Sequence, residues 1–307
     1  MKIETSNMKR NQKLAYIYTA LAILFWSTVA SAFKLSLRSI TPYQLLFYAS
    51  LTSVLTLFLI LTWQGQFHQI YKISKKSIFN SAGLGFINPF IYYLILFNAY
   101  NRLPAQIAQP INCTWAVLIV ILSAPLLGQK INIKQILAIL ISFAGVVVVT
   151  SRGNLTGFVN ADILGVILAL TSAIFWAVYW ILNVRDKRDQ APKLFLNYLF
   201  GTFYLYLLSF TGYFDLSIST KNLIGPVYVG IFEMGLTSFV WLNALKLSDS
   251  TARISNYIYL FPFISLIFIY FIVGEKILLT SFAGLMIIVI GILLQERFMK
   301  RKHSIKE

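Results

Sequence analysis

Glu233 is the carboxylate that lies deepest within an apolar stretch of this sequence, between Gly225 and Trp241. An ionisable side chain in an apolar environment needs a partner or a water-filled cavity, and such a residue often has a function. Glu233 could bind an ammonium group or carry a proton. The structural alternatives are an ion pair with a basic side chain such as Arg253 and a protonated carboxyl held by hydrogen bonds.

Other polar side chains recur at helical spacing in neighbouring apolar stretches. Residues three or four apart share a helix face, because each residue turns the helix by about 100°. Such faces are Ser27, Ser31 and Lys34; Gln106, Gln109 and Asn112; Ser172, Trp176, Tyr179 and Asn183; and Arg253, Asn256 and Tyr257. They indicate a pathway through a membrane, whose candidate residues are Trp26, Ser27, Asn88, Gln109, Asn112, Trp176, Tyr179, Glu233, Asn256 and Tyr257.

Motifs of soluble enzymes are missing from the sequence. It has no HExxH, no GxSxG, no Walker A loop and no pair of aspartates within the apolar stretches. His68 and His303 are too far apart along the chain to suggest a metal site. We therefore predict a protein that is not an enzyme and that binds no metal and no cofactor.

The elements that position these residues are apolar runs of membrane-spanning length. Of the 307 residues, 58% are apolar and 12% are charged, against about 25% charged residues in soluble domains. About 20 helical residues cross a bilayer. The predicted spans are 14–33, 42–62, 78–97, 103–124, 132–150, 162–183, 193–211, 222–244, 252–273 and 279–296. They predict an all-α integral membrane protein with ten transmembrane helices.

The basic residues are distributed unevenly between the two sides of these spans. With the N-terminus inside, the inner segments hold 20 of the 26 Lys and Arg residues and the outer segments hold 6. Basic residues favour the cytoplasmic side, so both termini are predicted to be cytoplasmic. The net charge of +16 is therefore interpreted as a topology signal, and no nucleic acid is expected as a partner.

The second half of the chain repeats features of the first half. The aligned residues are Phe25-Trp26 with Phe175-Trp176, Pro42 with Pro192, Tyr48 with Tyr198, Gly85 with Gly230, Asn88 with Glu233, and Gly128-Gln129-Lys130 with Gly274-Glu275-Lys276. Each half has five predicted spans, an odd number, so the second half must enter the membrane from the opposite face. The prediction is an inverted repeat, with substrate sites near the membrane centre. The predicted units are 14–150, an outer linker at 151–161, 162–296 and a basic cytoplasmic tail at 297–307.

The repeated tryptophans and the intramembrane prolines allow two interpretations each. Trp26 and Trp176 could stack a flat ring or cover a cation in a pocket, or they could be close-packing residues. Pro89, Pro110 and Pro262 lie inside predicted spans. Each proline removes a backbone hydrogen bond, so each could form a static kink or a hinge.

The residues given so far resemble the drug/metabolite transporter superfamily, specifically the EamA-type permeases. The resemblance covers residues 14–296, and its marks are FWS at 25–27, FW at 175–176 and FPFISLIFIYFIVGEKI at 261–277. The first half departs from the family pattern at Ala116, where a proline is usual, and at Gln129, which replaces the acid. Residues 111–132 look most like the aromatic amino acid exporters of the family. The resemblance implies a central cavity lined by spans 1, 3, 4, 6, 8 and 9.

Together these features predict a secondary active transporter of the bacterial inner membrane. We expect it to export amino acids or related small metabolites by alternating access, as a monomer or homodimer, with a proton as the candidate coupling ion. Within transport, the alternative cargoes are purines, other metabolites and cationic drugs. The alternatives of a different class are a channel and a membrane scaffold that transports nothing.

Overall fold

Helices make up the regular structure of the chain. The structure is a computed structural model that describes residues 11–127, 133–151, 162–212, 215–248, 254 and 257–304. The main helices are α1 (Gln12–Ser36), α2 (Pro42–Trp63), α3 (Lys75–Gly85), α4 (Tyr92–Arg102), α5 (Ala105–Asn112), α6 (Trp115–Leu127), α7 (Ile133–Ser151), α8 (Ile163–Arg185), α9 (Gln190–Ser209), α10 (Ile224–Tyr228), α11 (Thr237–Leu247), α12 (Phe261–Phe268) and α13 (Leu279–Ser304). Most of the predicted linker 151–161 and the turn at Gly128-Gln129-Lys130 lie outside the described residues.

Several helical segments have the length and composition of membrane spans. In the described ranges, 7 segments are long and apolar enough to cross a membrane, and two shorter apolar helices cover Ile258–Val273 and Leu279–Gln295. The 20 residues of α9 cover much of a further predicted span. The prediction of an all-helical membrane protein is therefore confirmed. The arrangement of ten spans as an inverted repeat stays a prediction.

Local sequence signals explain where several helices begin. Thr41 and Gln44 form a capping box before α2, and Pro42 occupies the first helical turn. The Asp162 side chain accepts the Gly165 N–H at 2.9 Å and starts α8. These signals lie at or near the first residues of the predicted spans at 42 and 162. At the other end of the chain, α13 continues through Ser304, so the helix extends into the predicted tail.

Two helical segments are interrupted at positions that the predicted repeat aligns. Between α3 and α4, the backbone of Asn88 is extended (φ −143°, ψ 118°) and is followed by Pro89. Between α10 and α11, the segment Val229–Leu236 forms wide π-type turns around Glu233. Irregular turns inside membrane helices are tolerated where protein or a cavity satisfies the backbone. The breaks therefore place Asn88 and Glu233 within the bundle interior.

Glycines permit α7 and α13 to pack against each other at short range. A Cβ atom on Gly145 would lie 2.7 Å from the Gly284 carbonyl oxygen and 2.8 Å from the Ile288 nitrogen. A Cβ atom on Gly291 would lie 2.8 Å from the Ala138 carbonyl oxygen. Small residues allow two membrane helices to approach closely. The pair α7 and α13 borders the bundle that encloses the candidate site.

Candidate functional site

A cavity of about 360 Å³ lies between helices from both halves of the chain. Five of the predicted pathway residues line it: Trp26, Gln109, Asn112, Trp176 and Glu233. Its volume falls within the usual range for small-molecule pockets, about 300–1,000 Å³. The cavity is therefore large enough for a small metabolite.

Aromatic rings form much of the cavity wall. Trp26 packs against Trp241, with ring centroids 5.6 Å apart. On the facing helices, the Trp176 ring lies 4.6 Å from the Tyr92 ring at an interplanar angle of 31°. Trp115 and Trp180 also border the space. Such walls can hold a flat ring or a cation over a ring face.

Glu233 supplies the carboxylate of this cavity. Its Oε1 atom accepts a hydrogen bond from the Tyr93 hydroxyl at 2.9 Å. Its Oε2 atom is buried and makes no hydrogen bond with any described residue. Neither of the two ion pairs in the described part of the chain involves Glu233, and Arg253 lies outside that part. The second oxygen is therefore available for a ligand, a proton or water.

Gln109 and Asn112 lie on α5 and contribute amide groups to the cavity wall. The Asn112 Nδ2 atom donates to the Ser172 Oγ atom of α8 at 3.0 Å, which fixes the orientation of the amide. The Gln109 Oε1 atom is buried without a hydrogen bond to a described residue. The Asn112 amide thus joins α5 to α8, and the Gln109 amide has an acceptor oxygen that a ligand or water could use.

Ser27, Asn88 and Tyr179 lie outside the cavity lining. The Ser27 hydroxyl is buried between α1 and α12 and contacts the carbonyl oxygens of Ile23 and Phe261 at 2.6 and 3.1 Å. Asn88 and Tyr179 are also buried, next to Asn197. Ser27 therefore joins helices, whereas Asn88 and Tyr179 belong to a neighbouring polar cluster.

The remaining two predicted pathway residues are not placed at the cavity either. Tyr257 is 40% exposed, and its ring packs edge-on against Tyr16 at 6.0 Å. Asn256 lies outside the described residues. The structure thus brings together five of the ten predicted residues, which lie on α1, α5, α8 and the segment around Glu233.

Several residues at the site were missed in the sequence. Trp180 follows Trp176 by four residues and therefore shares its helix face, a signal that was present. Tyr93, the partner of Glu233, carries no such signal, because the two residues are 140 positions apart. Within the described residues, no group of three or more His, Cys, Asp or Glu side chains could hold a metal ion.

One end of the bundle is held together by a set of contacts that we name the Glu275 latch, formed by Glu275, Gln106, Lys34 and Arg38. Glu275 accepts the backbone N–H groups of Ala105 and Gln106 at 2.9 and 3.2 Å, at the start of α5. The negative carboxylate complements the positive end of the helix dipole. The latch joins the two halves of the chain beside the cavity.

The other latch residues bind main-chain groups across the same end. The Gln106 side chain donates to the Lys276 carbonyl at 2.8 Å and accepts the Leu278 N–H at 2.8 Å. Lys34 donates to the carbonyls that end α4, those of Tyr100 and Leu103, at 2.8 and 2.7 Å. Arg38 donates to the Val273 carbonyl at 2.6 Å. Helices α1, α4, α5 and α13 are thereby held together.

Comparison with known families gives a match over most of the chain. The model of the EamA-like transporter family matches residues 13–151 and 163–295. A protein of Archaeoglobus fulgidus that is named an uncharacterized transporter is 25% identical over 265 residues, which cover 85% of this chain and 90% of that protein. An uncharacterized transporter of Clostridium kluyveri is 23% identical over 303 residues, covering 96% of this chain and 97% of the relative.

A solved structure shows that the fold has been observed before. A crystal structure of a protein superimposes with a TM-score of 0.65 at 20% identity and covers 95% of this chain and 99% of its own. Identity at this level supports the fold alone.

Proposed function

The chain belongs to the EamA-like transporter family, and from that premise we propose that it is a secondary active transporter that exports amino acids or related small metabolites. It acts in the bacterial inner membrane by alternating access, with a proton as the coupling ion. The observation that carries the proposal is the cavity of about 360 Å³, which combines tryptophan walls with a carboxylate oxygen of Glu233 that has no hydrogen-bond partner among the described residues.

The chemistry of the cavity favours a cargo with an ammonium group and an apolar or aromatic side chain. Glu233 complements an ammonium group, and Gln109 offers a further acceptor on another helix. Trp26 and Trp176 provide ring faces for the side chain of the cargo. Aromatic amino acids combine these features in one molecule, so they are the first cargo class to test.

Alternating access requires that the cavity is closed at one end at a time. The Glu275 latch supports this mechanism, because it closes one end through contacts between segments from both halves of the chain. Its hydrogen bonds go mainly to main-chain groups, so they can be exchanged without unfolding a helix. The outward-facing state is expected to lack them.

The orientation in the membrane follows from the distribution of basic residues. We place both termini in the cytoplasm, which puts the Glu275 end on the outer side. A green fluorescent protein fused after Glu307 is expected to fluoresce, and alkaline phosphatase at the same position is expected to be inactive. The reverse pattern would contradict this orientation.

Counterflow in proteoliposomes tests the function directly. The vesicles are loaded with a pool of unlabelled amino acids, and uptake of labelled phenylalanine, threonine and leucine is followed, with protein-free vesicles as the control. We expect transient accumulation of labelled phenylalanine, which a channel and a scaffold cannot produce. No accumulation of any label by folded protein would overturn the amino-acid proposal.

Cationic drugs are the second candidate cargo, because the same carboxylate and tryptophans suit a large apolar cation. Uptake of labelled tetraphenylphosphonium in the same counterflow assay distinguishes a cationic drug from an amino acid as the cargo. Its accumulation without that of phenylalanine would favour a drug exporter.

A further inference from the structure

A second group of buried polar residues lies beside the cavity, between the Asn88 break, α8 and α9. We name it the asparagine niche: Asn88, Tyr179, Asn183, Asn197 and Tyr198. Each of these residues is at most 3% exposed, and none lines the cavity of about 360 Å³. The niche is therefore a separate polar site in the interior of the bundle.

Most polar atoms of the niche have no hydrogen-bond partner among the described residues. They are the Oδ1 atoms of Asn88 and Asn183, the Tyr179 hydroxyl and both amide atoms of Asn197. The Tyr179 hydroxyl lies beside the amides of Asn88 and Asn197 without an aligned hydrogen bond to either. Buried polar groups are normally satisfied, and where protein partners are missing, ordered water takes their place. Five such atoms in one niche supply hydrogen-bond partners for water.

The niche connects to Glu233 through two tyrosines. The Tyr198 hydroxyl lies next to the side chains of Asn88 and Tyr93. Tyr93 in turn donates to Glu233 Oε1 at 2.9 Å. A hydroxyl group can accept one proton and release another, so these neighbouring tyrosines lie where they can relay a proton between the niche and the carboxylate.

In the other direction, the niche reaches the end of the bundle opposite the Glu275 latch. Tyr179 and Asn183 on α8, and Lys193 and Asn197 on α9, are four residues apart on their helices and thus share a face. The buried Lys193 Nζ atom donates to the Asn183 and Asp186 carbonyls, both at 3.1 Å. The polar groups therefore continue from α8 and α9 to the loop that joins them.

Asp186 lies at the far end of this route, in the loop between α8 and α9. Partial burial raises the pKa of its carboxyl, but hydrogen bonds from Arg188 lower it more, so the pKa lies below its usual range. The Arg188 Nε atom donates to Asp186 Oδ1 at 2.9 Å, and the Asn80 amide donates to Oδ2 at 2.9 Å. A fixed, charged group thus marks the point where the route meets the aqueous phase.

We propose that the asparagine niche holds a chain of water molecules that carries protons between Glu233 and the end of the bundle at Asp186 and Lys193. The inference rests on the proposed function, because only a proton-coupled carrier needs this route. Each water or tyrosine oxygen accepts one proton and releases one, while the asparagine amides hold the waters in place. Since the niche is separate from the cavity, Glu233 exchanges its proton without opening the cargo path at that end.

The groups that face Glu233 agree with a role in proton transfer. Four tyrosines interact with it from α4 and α9: Tyr92, Tyr93, Tyr100 and Tyr198. Two other groups on nearby helices have partners of their own: Lys34 of α1 donates to main-chain carbonyls, and the Tyr228 hydroxyl of α10 is 2.6 Å from Thr28 Oγ1. Glu233 therefore has no basic ion-pair partner in the described part of the chain that would fix it in the charged form.

X-ray hydroxyl-radical footprinting of the purified protein tests the water chain without any cargo. Radicals form from bound water and oxidise the nearest rings. We expect faster oxidation of Tyr179 and Tyr198 than of Phe97, which is equally buried in the apolar core. Rates for the two tyrosines that equal the rate for Phe97 would overturn the proposal.

A comparison of two transport modes tests the proton route. Tyr179→Phe and Asn197→Leu are expected to keep counterflow of labelled phenylalanine while uptake driven by a pH gradient falls at least about tenfold. Thr202→Val is the matched control on α9, because that hydroxyl already bonds the Tyr198 carbonyl of its own helix at 2.8 Å. Tyr179→Phe keeps the ring, so it remains informative if Asn197→Leu fails to fold.

Three transport results would separate the two proposals. Gradient-driven uptake that survives in both variants would overturn the proton route. Counterflow by the unaltered protein without any response to a pH gradient would also overturn it. Absence of counterflow would contradict the proposed cargo, while footprinting would still decide whether the niche holds water.

Discussion

The two oxygens of Glu233 have different environments. Oε1 bonds the Tyr93 hydroxyl at 2.9 Å, and Oε2 is buried and unpaired with respect to the described residues. A carboxylate in an apolar site is unfavourable unless something compensates its charge. A cargo ammonium group and a bound proton would compensate this charge alternately during the transport cycle. The residue therefore joins cargo binding to proton binding at a single atom.

Replacing Glu233 by glutamine tests the need for the charge. Glu233→Gln keeps the shape and an acceptor for Tyr93 but cannot ionise. A hydrogen bond to a charged group contributes about 1.5–3 kcal/mol, so the KM for phenylalanine in counterflow is expected to rise about tenfold or more. Asp162→Asn is the matched control, because Asp162 caps α8 away from the cavity. Equal KM values for Glu233→Gln and the unaltered protein would contradict this role.

Trp176 tests the contribution of the aromatic wall. Its ring packs on Tyr92 at 4.6 Å and lines the cavity. Aromatic pairs contribute about 0.5–1.5 kcal/mol beyond area burial, so Trp176→Leu is expected to weaken transport of phenylalanine about two- to tenfold and to change that of leucine less. Trp63→Leu is the control, because Trp63 is 78% exposed. An equal loss for both amino acids would indicate a packing role instead.

Sequence reasoning found part of this site because helical spacing identifies shared faces. Trp176 and Asn112 both line the cavity, and their role in transport stays a prediction. Spacing cannot rank the faces of one helix against each other, and Ser27 consequently falls beside the cavity, where it bonds Phe261. Partners that are distant in the sequence, such as Tyr93 for Glu233, require the tertiary structure.

At the scale of elements, short and interrupted helices bring main-chain groups to the site. Helix α5 has only eight residues, and its first two N–H groups donate to Glu275. The Asn88 break and the π-type turns around Glu233 interrupt two more segments. Interrupted helices leave main-chain groups that can exchange partners, which is what a change of access requires.

The Glu275 latch predicts how the cavity opens. Glu275→Leu removes the acceptor at the start of α5, and the loss of such a cap costs about 1 kcal/mol, which corresponds to an approximately fivefold shift between two states. Cys113, the one cysteine of the chain, lines the cavity. In Glu275→Leu, an impermeant reagent added on the Glu275 side is expected to alkylate Cys113 faster than in the unaltered protein.

Lys276→Ala is the control for this experiment, because the main-chain carbonyl of Lys276 accepts from Gln106 irrespective of its side chain. Its Cys113 labelling should match that of the unaltered protein. Identical labelling rates in Glu275→Leu and Lys276→Ala would rule out a latch at Glu275.

The contact between α7 and α13 predicts a stability effect. A methyl group on Gly145 would meet the Gly284 carbonyl at 2.7 Å, so Gly145→Ala is expected to lower the free energy of unfolding by about 1–3 kcal/mol. Gly83→Ala in α3 has no atom within 4 Å and should be neutral or stabilising, since alanine favours helices. Thermal unfolding in detergent measures both. The same fall in Tm for both variants would contradict the packing argument.

The elements themselves were partly predictable. The predicted span 42–62 begins at Pro42, where α2 begins in the structure. Pro89 indicated a disturbance in the third span, and the structure has an extended residue immediately before it. The division of the fourth span at Cys113 and Thr114 has no proline at the break, and the π-type turns around Glu233 have no local signal. Both depend on packing that a single segment does not encode.

At the scale of the whole molecule, the chain is an apolar helical bundle with its polar groups inside. Large apolar side chains such as Leu55, Phe203 and Phe271 are more than half exposed, as expected for surfaces that face lipid. Asn88, Asn197 and Gln109 are almost completely buried. Composition and charge predicted this inside-out distribution. They could not predict which end is closed, because the Glu275 latch depends on residues 170 positions apart.

If cargo passes through the cavity lined by Glu233 and Trp176, it should protect Cys113 from alkylation. Cys113 lines the same cavity, so the alkylation rate can be measured with and without the amino acid that counterflow identifies. A saturating cargo is expected to slow alkylation, and Glu233→Gln should need about ten times more cargo for the same protection. A transported cargo that leaves the alkylation rate of Cys113 unchanged would contradict the account.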